Sequence, residues 1–274
     1  MTTGQNQQDR KARMPFDAAY DEVGYERTEH SIDTATDEEA PPEISSERVT
    51  QIFTDIATRY DRFNAMSSFG RYRAWLHTLI DKAPINSRSR MLDVAGGTGD
   101  VAFQACKQKR PGSILLTDLT PAMLDVAKER LAKGEANGVP IELAVMDAQD
   151  IPYASESFDI VTMAYGIRNM PKRETALSEI YRVLTPGGSA CILEFSTPPN
   201  PVMRRMYSAY LKYGIPEWGK LTTGQKEGFV YLSSSIKAFP DQEHFSKMLY
   251  DAGFSRVEYT NCTFGVAAVY IARK

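Results

Sequence analysis

The stretch Met91–Asp100, which reads M-L-D-V-A-G-G-T-G-D, decides the fold of this chain. It begins with a short apolar run that predicts a β-strand, and three glycines follow within four positions. Glycine lets a ligand approach the backbone of a tight turn, because it has no side chain to block the approach. A strand, a glycine turn and a helix form the first unit of a dinucleotide-type α/β fold. The apolar positions that predict this helix are Val101, Ala102, Phe103 and Ala105.

Two carboxylates flank the glycine turn, Asp93 before it and Asp100 after it. They would repel a diphosphate, and the turn lacks the G-x-G-x-x-G pattern of dinucleotide-binding proteins. A cationic ligand would be attracted instead. S-adenosyl-L-methionine (SAM) carries a sulfonium and an ammonium and no phosphate, so the pattern D-x-x-G-G-x-G favours a SAM-dependent methyltransferase. The alternative is a tight loop in an unrelated α/β domain.

Apolar runs and amphipathic segments continue to alternate along the chain. They predict a Rossmann-like class I methyltransferase fold, in which a mostly parallel seven-stranded sheet has helices on both faces. The last two strands, 256–260 and 266–272, are predicted to pair antiparallel at the sheet edge. The other predicted strands are 91–94, 114–117, 141–145, 158–163 and 189–195, and the predicted helices among them are 120–131, 174–184 and 241–252.

The methyltransferase domain is predicted over residues 47–274, after an acidic tail over residues 1–46 that we expect to be disordered. The first 48 residues contain five basic and twelve acidic residues and so carry a net charge of −7. Helices at 49–60 and 71–83 are predicted to form an N-terminal lid over the cofactor. The segment 198–239 interrupts the alternation and is predicted to be a substrate-cover insertion.

Composition excludes several classes of function. The net charge of −3 and the absence of a strong basic cluster argue against nucleic-acid binding. Three cysteines, Cys106, Cys191 and Cys262, lie too far apart for a metal motif or a disulfide framework, so no metal is expected. No apolar run reaches transmembrane length and no signal-peptide pattern begins the chain, which favours the cytoplasm.

Ligands of open parallel sheets bind at the carboxyl ends of the strands. Asp118 ends the second strand, where a carboxylate can accept hydrogen bonds from two ribose hydroxyls. Asp147 follows the third strand, where it can accept from the adenine amino group. The alternative for either aspartate is a helix N-cap. The predicted cofactor-binding residues are Asp93, Gly96, Gly97, Thr98, Gly99, Asp118, Leu119, Asp147, Ala148 and Ala164.

Several longer motifs resemble the quinone C-methyltransferases of menaquinone and ubiquinone biosynthesis, from about Val49 to the C-terminus. The more specific matches are the Tyr-Asp-x-x-Asn entry at 60–64, the Gly-Ile-Arg-Asn segment at 166–169 and the Phe-Pro-x-Gln run at 239–242. The chain departs from the family at Tyr270, where the family has a histidine, and at Phe229, where it has a tyrosine.

The resemblance implies methyl transfer from SAM to a ring carbon of a polyprenyl quinol, with demethylmenaquinol as the leading substrate. One alternative is a SAM methyltransferase acting on another small aromatic metabolite. Another is a non-catalytic subunit of a biosynthetic complex that keeps the SAM fold. The retained aspartates and glycines of the cofactor set argue against the non-catalytic alternative.

Three residues are the catalytic candidates. Arg168 is predicted to stabilise a phenolate, because a guanidinium stays charged, and Asn169 to orient a hydroxyl or a water. Tyr60 is predicted to hydrogen-bond the substrate or to close over the methionine end of the cofactor. The alternatives are a structural ion pair of Arg168 with an acid such as Asp159 or Glu194, and helix packing for Tyr60. The general base stays open between a side chain and a water polarised by Arg168.

An apolar polyprenyl substrate requires contact with a membrane or delivery by a partner. The stretch Met203–Tyr213 interleaves Met and Tyr with Arg and Lys, so an interfacial helix is one interpretation and a lid packed over the prenyl tail is the other. The enzyme is therefore expected in the cytoplasm, in peripheral contact with the inner face of the membrane. A homodimer is the default expectation for a soluble oligomer.

Overall fold

The computed structural model describes residues 51, 54, 68, 70–215 and 227–274, and the side chains of 227 and 228 are outside that description. The predicted tail, the first lid helix apart from residues 51 and 54, and Tyr60 lie outside the described residues. The strands are β1 (Arg90–Asp93), β2 (Ser113–Asp118), β3 (Ile141–Val145), β4 (Phe158–Ala164), β5 (Leu184–Phe195), β6 (Arg256–Cys262) and β7 (Ala267–Arg273). The helices are α1 (Tyr72–Lys82), α2 (Asp100–Gln108), α3 (Pro121–Ala132), α4 (Arg173–Val183), α5 (Pro201–Ala209), α6 (Glu227–Lys237) and α7 (Gln242–Asp251).

The seven strands form one sheet in the order β3-β2-β1-β4-β5-β7-β6. Strands β1 to β5 pair in parallel, and β7 pairs antiparallel with both β5 and β6. The strand order reverses between β1 and β4, which is the point where an open α/β sheet binds its ligands. The predicted class of fold, with its antiparallel closing pair, is confirmed.

Side chains alternate between the two faces of the sheet, as the period of a strand requires. Met91 packs with the apolar residues of α1 and α2 on one face, whereas the neighbouring Leu92 packs with those of α4 and α7 on the other. Helices therefore pack on both faces of the sheet, and the central strands are buried on both sides, whereas the edge strands β3 and β6 are partly exposed.

The second predicted lid helix, α1, packs on one face of the sheet. Its apolar side packs on β5, β7 and α2, and Leu79 and Ile80 are fully buried there. The Trp75 indole N–H also donates to Thr263 Oγ1 at 2.9 Å, which ties α1 to the turn between β6 and β7. Burial of its apolar stripe on the sheet makes α1 a core helix, and the lid over the cofactor stays a prediction.

Two further elements differ from the sequence prediction. Strand β5 begins at Leu184, five residues earlier than expected, because the Pro-Gly-Gly run forms an irregular stretch opposite β4 rather than a free turn. The cover insertion contains α5, which continues into a π-helical turn over Tyr210–Gly214, and then α6. Within the described ranges, no helix is both long enough and apolar enough to span a bilayer.

Candidate active site

A cleft opens at the carboxyl edge of the sheet, beside the switch point between β1 and β4. Two aspartates and no lysine or arginine line it among the described residues. The lining residues are Ala95, Gly97, Asp118, Leu119, Thr120, Met123, Met146, Asp147, Ala148, Gln149, Ala164, Tyr165, Gly166, Asn169, Met170 and Pro171. A cleft of this kind suits a cationic or neutral ligand and disfavours a diphosphate.

Asp118 connects the glycine turn to the start of α3. Its Oδ2 accepts the backbone N–H of Gly97 at 2.9 Å, and its Oδ1 accepts the N–H of Thr120 at 2.8 Å. Burial raises the pKa of Asp118, and these N–H groups act in the opposite direction by stabilising the carboxylate. Each carboxylate oxygen has a second lone pair, so Asp118 still has acceptors for hydroxyls in the cleft.

Asp93 is fully buried at the end of β1, behind the cleft lining. The hydroxyl of Thr162 donates to its Oδ1 at 2.6 Å, because the parallel register places Asp93 opposite Thr162. Its Oδ2 is buried without a close hydrogen-bond partner among the described residues. Burial raises the pKa of Asp93 to about 7, with smaller contributions in the same direction from the charges of Asp118 and Asp100. Asp93 is therefore a buried acid that a nearby cation would ionise.

The other residues of the glycine turn lie behind the cleft. A Cβ on Gly96 would lie 2.2 Å from Leu116 and 2.8 Å from Asp93, and one on Gly99 would lie 2.6 Å from Phe103. Gly99 also has a φ of +88°, which disfavours residues with a side chain. The carbonyl of Thr98 accepts from Arg130. Close packing thus explains both glycines, and a direct role of these three residues in cofactor binding stays a prediction.

Asp147 and Ala148 line the far end of the cleft, and Leu119 and Ala164 line it at the ends of β2 and β4. The Asp147 carboxylate accepts the backbone N–H of Gln149 at 2.9 Å, which closes a local turn. Sequence reasoning missed Gln149, although its position two residues after an aspartate is typical of such a turn.

Two residues with side chains adopt left-handed backbone conformations at the cleft, Ala95 with a φ of +50° and Tyr165 with a φ of +58°. Such conformations are unfavourable and persist where the surroundings hold them. The carbonyl of Tyr165 accepts both the Arg168 guanidinium and the Asn169 side-chain amide. Arg168 therefore holds one wall of the cleft in a strained shape.

Arg168 forms a buried ion pair with Glu194. Its Nη1 donates to Glu194 Oε1 at 2.8 Å, and the two side chains are 4% and 0% exposed. The guanidinium lies near the rings of Tyr165 and Phe195, at 5.9 and 5.4 Å from their centroids. Burial raises the pKa of Glu194, whereas Arg168 and two backbone N–H groups lower it. The geometry matches the structural alternative considered for Arg168, and it leaves the phenolate-stabilising role as a prediction.

Asn169 lines the cleft and joins it to the cover insertion. The hydroxyl of Tyr231 on α6 donates to Asn169 Oδ1 at 3.0 Å, and the Asn169 amide donates to Tyr165. Tyr207 on α5 is buried close enough to Arg168 and Glu194 for their charges to affect its pKa. Sequence reasoning missed Tyr207 and Tyr231, because only the fold brings these helices to the strand ends.

The cleft residues fit SAM. The buried unpaired oxygen of Asp93 and the carboxylates of Asp118 and Asp147 provide acceptors for an ammonium, ribose hydroxyls and an amino group. The described residues contain no cluster of His, Cys, Asp and Glu that could hold a metal ion.

Comparisons with known proteins agree with this geometry. The model of the ubiE/COQ5 methyltransferase family matches residues 42–274. The chain is 42% identical over 222 residues to the ubiquinone/menaquinone biosynthesis C-methyltransferase UbiE of Dinoroseobacter shibae, covering 81% of this chain and 88% of that protein. It is also 42% identical over 237 residues to the UbiE of Rhizobium leguminosarum bv. trifolii, covering 85% and 91%.

A solved structure supports the fold. The crystal structure of a SAM-dependent methyltransferase from Aquifex aeolicus matches with a TM-score of 0.56 at 15% identity, over 79% of this chain and 97% of that one. Such a likeness speaks for the fold alone, whereas the family model and the two relatives cover most of the chain. The chain therefore belongs to the ubiE/COQ5 methyltransferase family.

Proposed function

We propose that the chain transfers a methyl group from SAM to a ring carbon of a polyprenyl quinol, with demethylmenaquinol as the leading substrate. The observation that carries the cofactor side is the cleft lining, which has two aspartates and no basic side chain among the described residues. The UbiE relatives are named for ubiquinone and menaquinone biosynthesis, and this supports a quinol as the acceptor.

Bound SAM supplies an electrophilic methyl group on its sulfonium. Asp118 accepts the ribose hydroxyls, and Asp147 accepts the adenine amino group at the far end of the cleft. The charged ammonium favours the ionised form of Asp93, whose buried Oδ2 has no close partner of its own in the described structure. Gly97 contributes backbone that lines the cleft without a side chain. These residues would hold SAM in the cleft, and holding the two reactants together is a large part of the rate enhancement of a bimolecular transfer.

Attack on the methyl group requires electron density at a ring carbon, and this density increases when a ring hydroxyl loses its proton. The new C–C bond would form as the S–CH3 bond breaks, S-adenosylhomocysteine would leave, and the proton of the attacked ring carbon would pass to water as the aromatic ring is restored. Arg168 is not among the residues that line the cleft, and its ion pair with Glu194 keeps the guanidinium in one orientation. Its proposed role is to favour the phenolate by electrostatic stabilisation from behind the lining. Asn169 lines the cleft and orients the ring hydroxyl or a water that removes its proton. Tyr60, which lies outside the described residues, is proposed to close the methionine end.

The prenyl tail of the acceptor implies peripheral contact with a membrane. The cover insertion lies next to the catalytic candidates, because Tyr231 of α6 bonds to Asn169 and Tyr207 of α5 lies near Arg168. We therefore place the entry of the apolar substrate on this side of the cleft. The homodimer expectation stays a prediction that sedimentation measurements can test.

The first experiment is methyl transfer from labelled SAM to two short-chain, water-soluble acceptors, a demethylmenaquinol and a ubiquinol precursor. We expect a product with the demethylmenaquinol and retention of the label on a ring carbon. Product with the ubiquinol precursor alone would replace the leading substrate and keep the reaction. SAM binding without methylation of either acceptor would contradict the proposal. The alternative hypothesis, a methyltransferase that acts on another small aromatic metabolite, would then be favoured.

A further inference from the structure

The outer side of α5 and of the following π-helical turn exposes large apolar side chains. Val202 and Met206 lie one helical turn apart and are 67% and 63% exposed, and Tyr213 is 65% exposed. The inner side packs well, since Tyr207, Leu211 and Ile215 recur every four residues and are buried. A helix that is apolar on its outer side as well as its inner side indicates an interaction surface rather than an ordinary solvent-exposed helix.

The charges along this segment have one sign. Residues 198–215 contain three basic residues, Arg204, Arg205 and Lys212, and no acidic residue. Arg204 donates to the carbonyls of Pro198 and Pro199, whereas Arg205 and Lys212 are exposed on the helix surface. Exposed apolar and basic side chains on one helix are typical of segments that lie in the interface of an anionic bilayer.

A second exposed aromatic lies on an adjacent turn. Phe264, between β6 and β7, is 73% exposed and has a φ of +59°, a conformation that a bulky residue rarely adopts. The neighbouring Gly265 packs against Pro198 and Pro199, just before α5 begins. Phe195, the last residue of β5, pairs with Ala267, the first residue of β7. The turn that precedes Ala267 therefore lies at the same carboxyl edge of the sheet as the cleft. A strained backbone that presents an aromatic ring to solvent suggests a function for that ring.

The two sides of α5 connect this surface to the proposed site. The side chain of Tyr207 on the inner side lies near Arg168 and Glu194. The side chain of Met206, one residue earlier, is exposed to solvent. A helix with its side chains is roughly 10–12 Å across. A quinol ring that leaves a bilayer under the outer side would therefore travel about one helix diameter to reach the site.

We propose that the docking face, defined as Val202, Met206, Tyr213 and Phe264 with Arg205 and Lys212, binds the surface of an anionic lipid bilayer. This inference rests on the proposed function, since a polyprenyl quinol is the reason for the enzyme to visit a membrane. The apolar and aromatic side chains enter the headgroup region, and the two basic side chains bind anionic headgroups. The cleft then faces the source of its acceptor.

The test is sedimentation of the full-length protein with vesicles of phosphatidylcholine alone or of phosphatidylcholine mixed with phosphatidylglycerol. We expect binding to the mixed vesicles that weakens at high salt. Phe264→Asn should weaken this binding about tenfold, and its folding should not suffer because asparagine tolerates a positive φ. Removal of two charges in Arg205→Gln/Lys212→Gln should weaken it roughly fivefold for each charge.

Matched controls lie elsewhere on the surface. Val145 on β3 is 58% exposed on the far side of the sheet, and Lys128 is an exposed basic residue on α3. Val145→Asn and Lys128→Gln should bind vesicles as the unaltered protein does. Docking-face variants that bind as tightly as the controls would overturn the proposal, as would a protein that sediments with neither type of vesicle.

Two further readouts separate this inference from its alternatives. Methylation of a water-soluble short-chain quinol without vesicles should be equal in Phe264→Asn and the unaltered protein. Vesicle binding without methylation of any quinol would refute the proposed function and leave the docking face supported. The protein could instead form a dimer, bind no vesicles, and become monomeric in Val202→Ser/Met206→Ser. That result would assign the docking face to a second copy of the chain and overturn the membrane proposal.

Discussion

The cofactor side of the cleft and its cover side use different kinds of interaction. On the cofactor side, the cleft-lining Asp118 accepts the backbone N–H of Thr120, two residues later, and that of Gly97 in the turn after β1. Behind the lining, Asp93 accepts from Thr162, which the parallel pairing of β1 with β4 places opposite it. On the cover side, side chains bond to side chains of elements that are distant in the sequence. Asn169 and Tyr231, for example, are 62 residues apart. We therefore expect cofactor binding to depend on backbone geometry and strand register, and binding of the acceptor to depend on side-chain contacts between helices and strand ends that a few substitutions can change.

The largest expected effect tests the cover side through its buried ion pair. Glu194→Leu leaves the Arg168 guanidinium buried without its carboxylate partner. Arg168→Met leaves the Glu194 carboxylate buried without its guanidinium partner. Either substitution should lower the free energy of unfolding by about 3–5 kcal/mol, because an uncompensated buried charge is costly. Urea denaturation of the two variants measures this loss.

The double variant Arg168→Met/Glu194→Leu separates structure from catalysis. Removal of both charges should restore most of the lost stability, since an apolar pair can replace a buried ion pair at little cost. We expect it to bind SAM and to lose at least about 100-fold in methyl transfer, in the range of one lost electrostatic stabiliser. Full activity in this variant would show that Arg168 acts only through the fold.

The cofactor side was the easier of the two to predict from the sequence. The glycine turn, Asp118 and Asp147 follow strands with clear apolar patterns, and parallel strands bring their carboxyl ends together. Gly97, Asp118 and Asp147 accordingly lie at one cleft. The sequence did not show that Gly96 and Gly99 are needed for close packing. Gly96 lies against Leu116 and Gly99 against Phe103, and these contacts depend on how β2 and α2 pack.

The second prediction tests that side. Asp118→Ala removes the acceptor proposed for the ribose and leaves the N–H groups of Gly97 and Thr120 without their carboxylate. We expect the Kd for SAM to increase about 100-fold, which is about 2.7 kcal/mol. Isothermal titration calorimetry measures it. Asp125→Ala, at an exposed position on α3, is the control and should leave the Kd unchanged.

The third prediction uses pH and concerns Asp93. Burial raises the pKa of this carboxyl to about 7 in the folded protein. The folded chain therefore keeps a proton that the unfolded chain releases above pH ~4, and stability falls as pH rises toward about 7. Between about pH 5 and pH 7 the free energy of unfolding should fall by on the order of 2 kcal/mol. In Asp93→Asn this pH dependence should disappear.

Binding of SAM gives an independent readout of the same group. A cation next to Asp93 favours its ionised form, so binding below about pH 7 should release a proton and tighten with rising pH by up to about tenfold per unit. Calorimetry in two buffers of different ionisation enthalpy counts the proton. Equal proton release in Asp93→Asn and the unaltered protein would place the cation elsewhere.

The cover side shows where sequence reasoning ends. The sequence predicted an insertion and a Met- and Tyr-rich helix, and α5 is present at that position. It could not assign Tyr231 a partner, because the bond to Asn169 depends on how α6 folds back over the strand ends. The position of α1 was hard to predict for a related reason, since this helix packs on the sheet and none of its residues lines the cleft. An amphipathic pattern shows that a helix has a buried side and does not show which surface buries it.

The smallest expected effect concerns the contact between Tyr231 and Asn169. Tyr231→Phe removes the hydroxyl that donates to Asn169 Oδ1 and keeps the ring in place. A neutral hydrogen bond contributes about 0.5–1.5 kcal/mol, so kcat/KM for the quinol should fall by roughly three- to tenfold. The Kd for SAM should not change, because Tyr231 does not line the cleft. Tyr250→Phe removes a hydroxyl from an exposed bond to Val257 and should leave both constants unchanged. If Tyr231→Phe weakens the binding of SAM and of the quinol equally, the two sides of the cleft act as one unit. The distinction between a cofactor side held by backbone contacts and a cover side held by side-chain contacts would then be wrong.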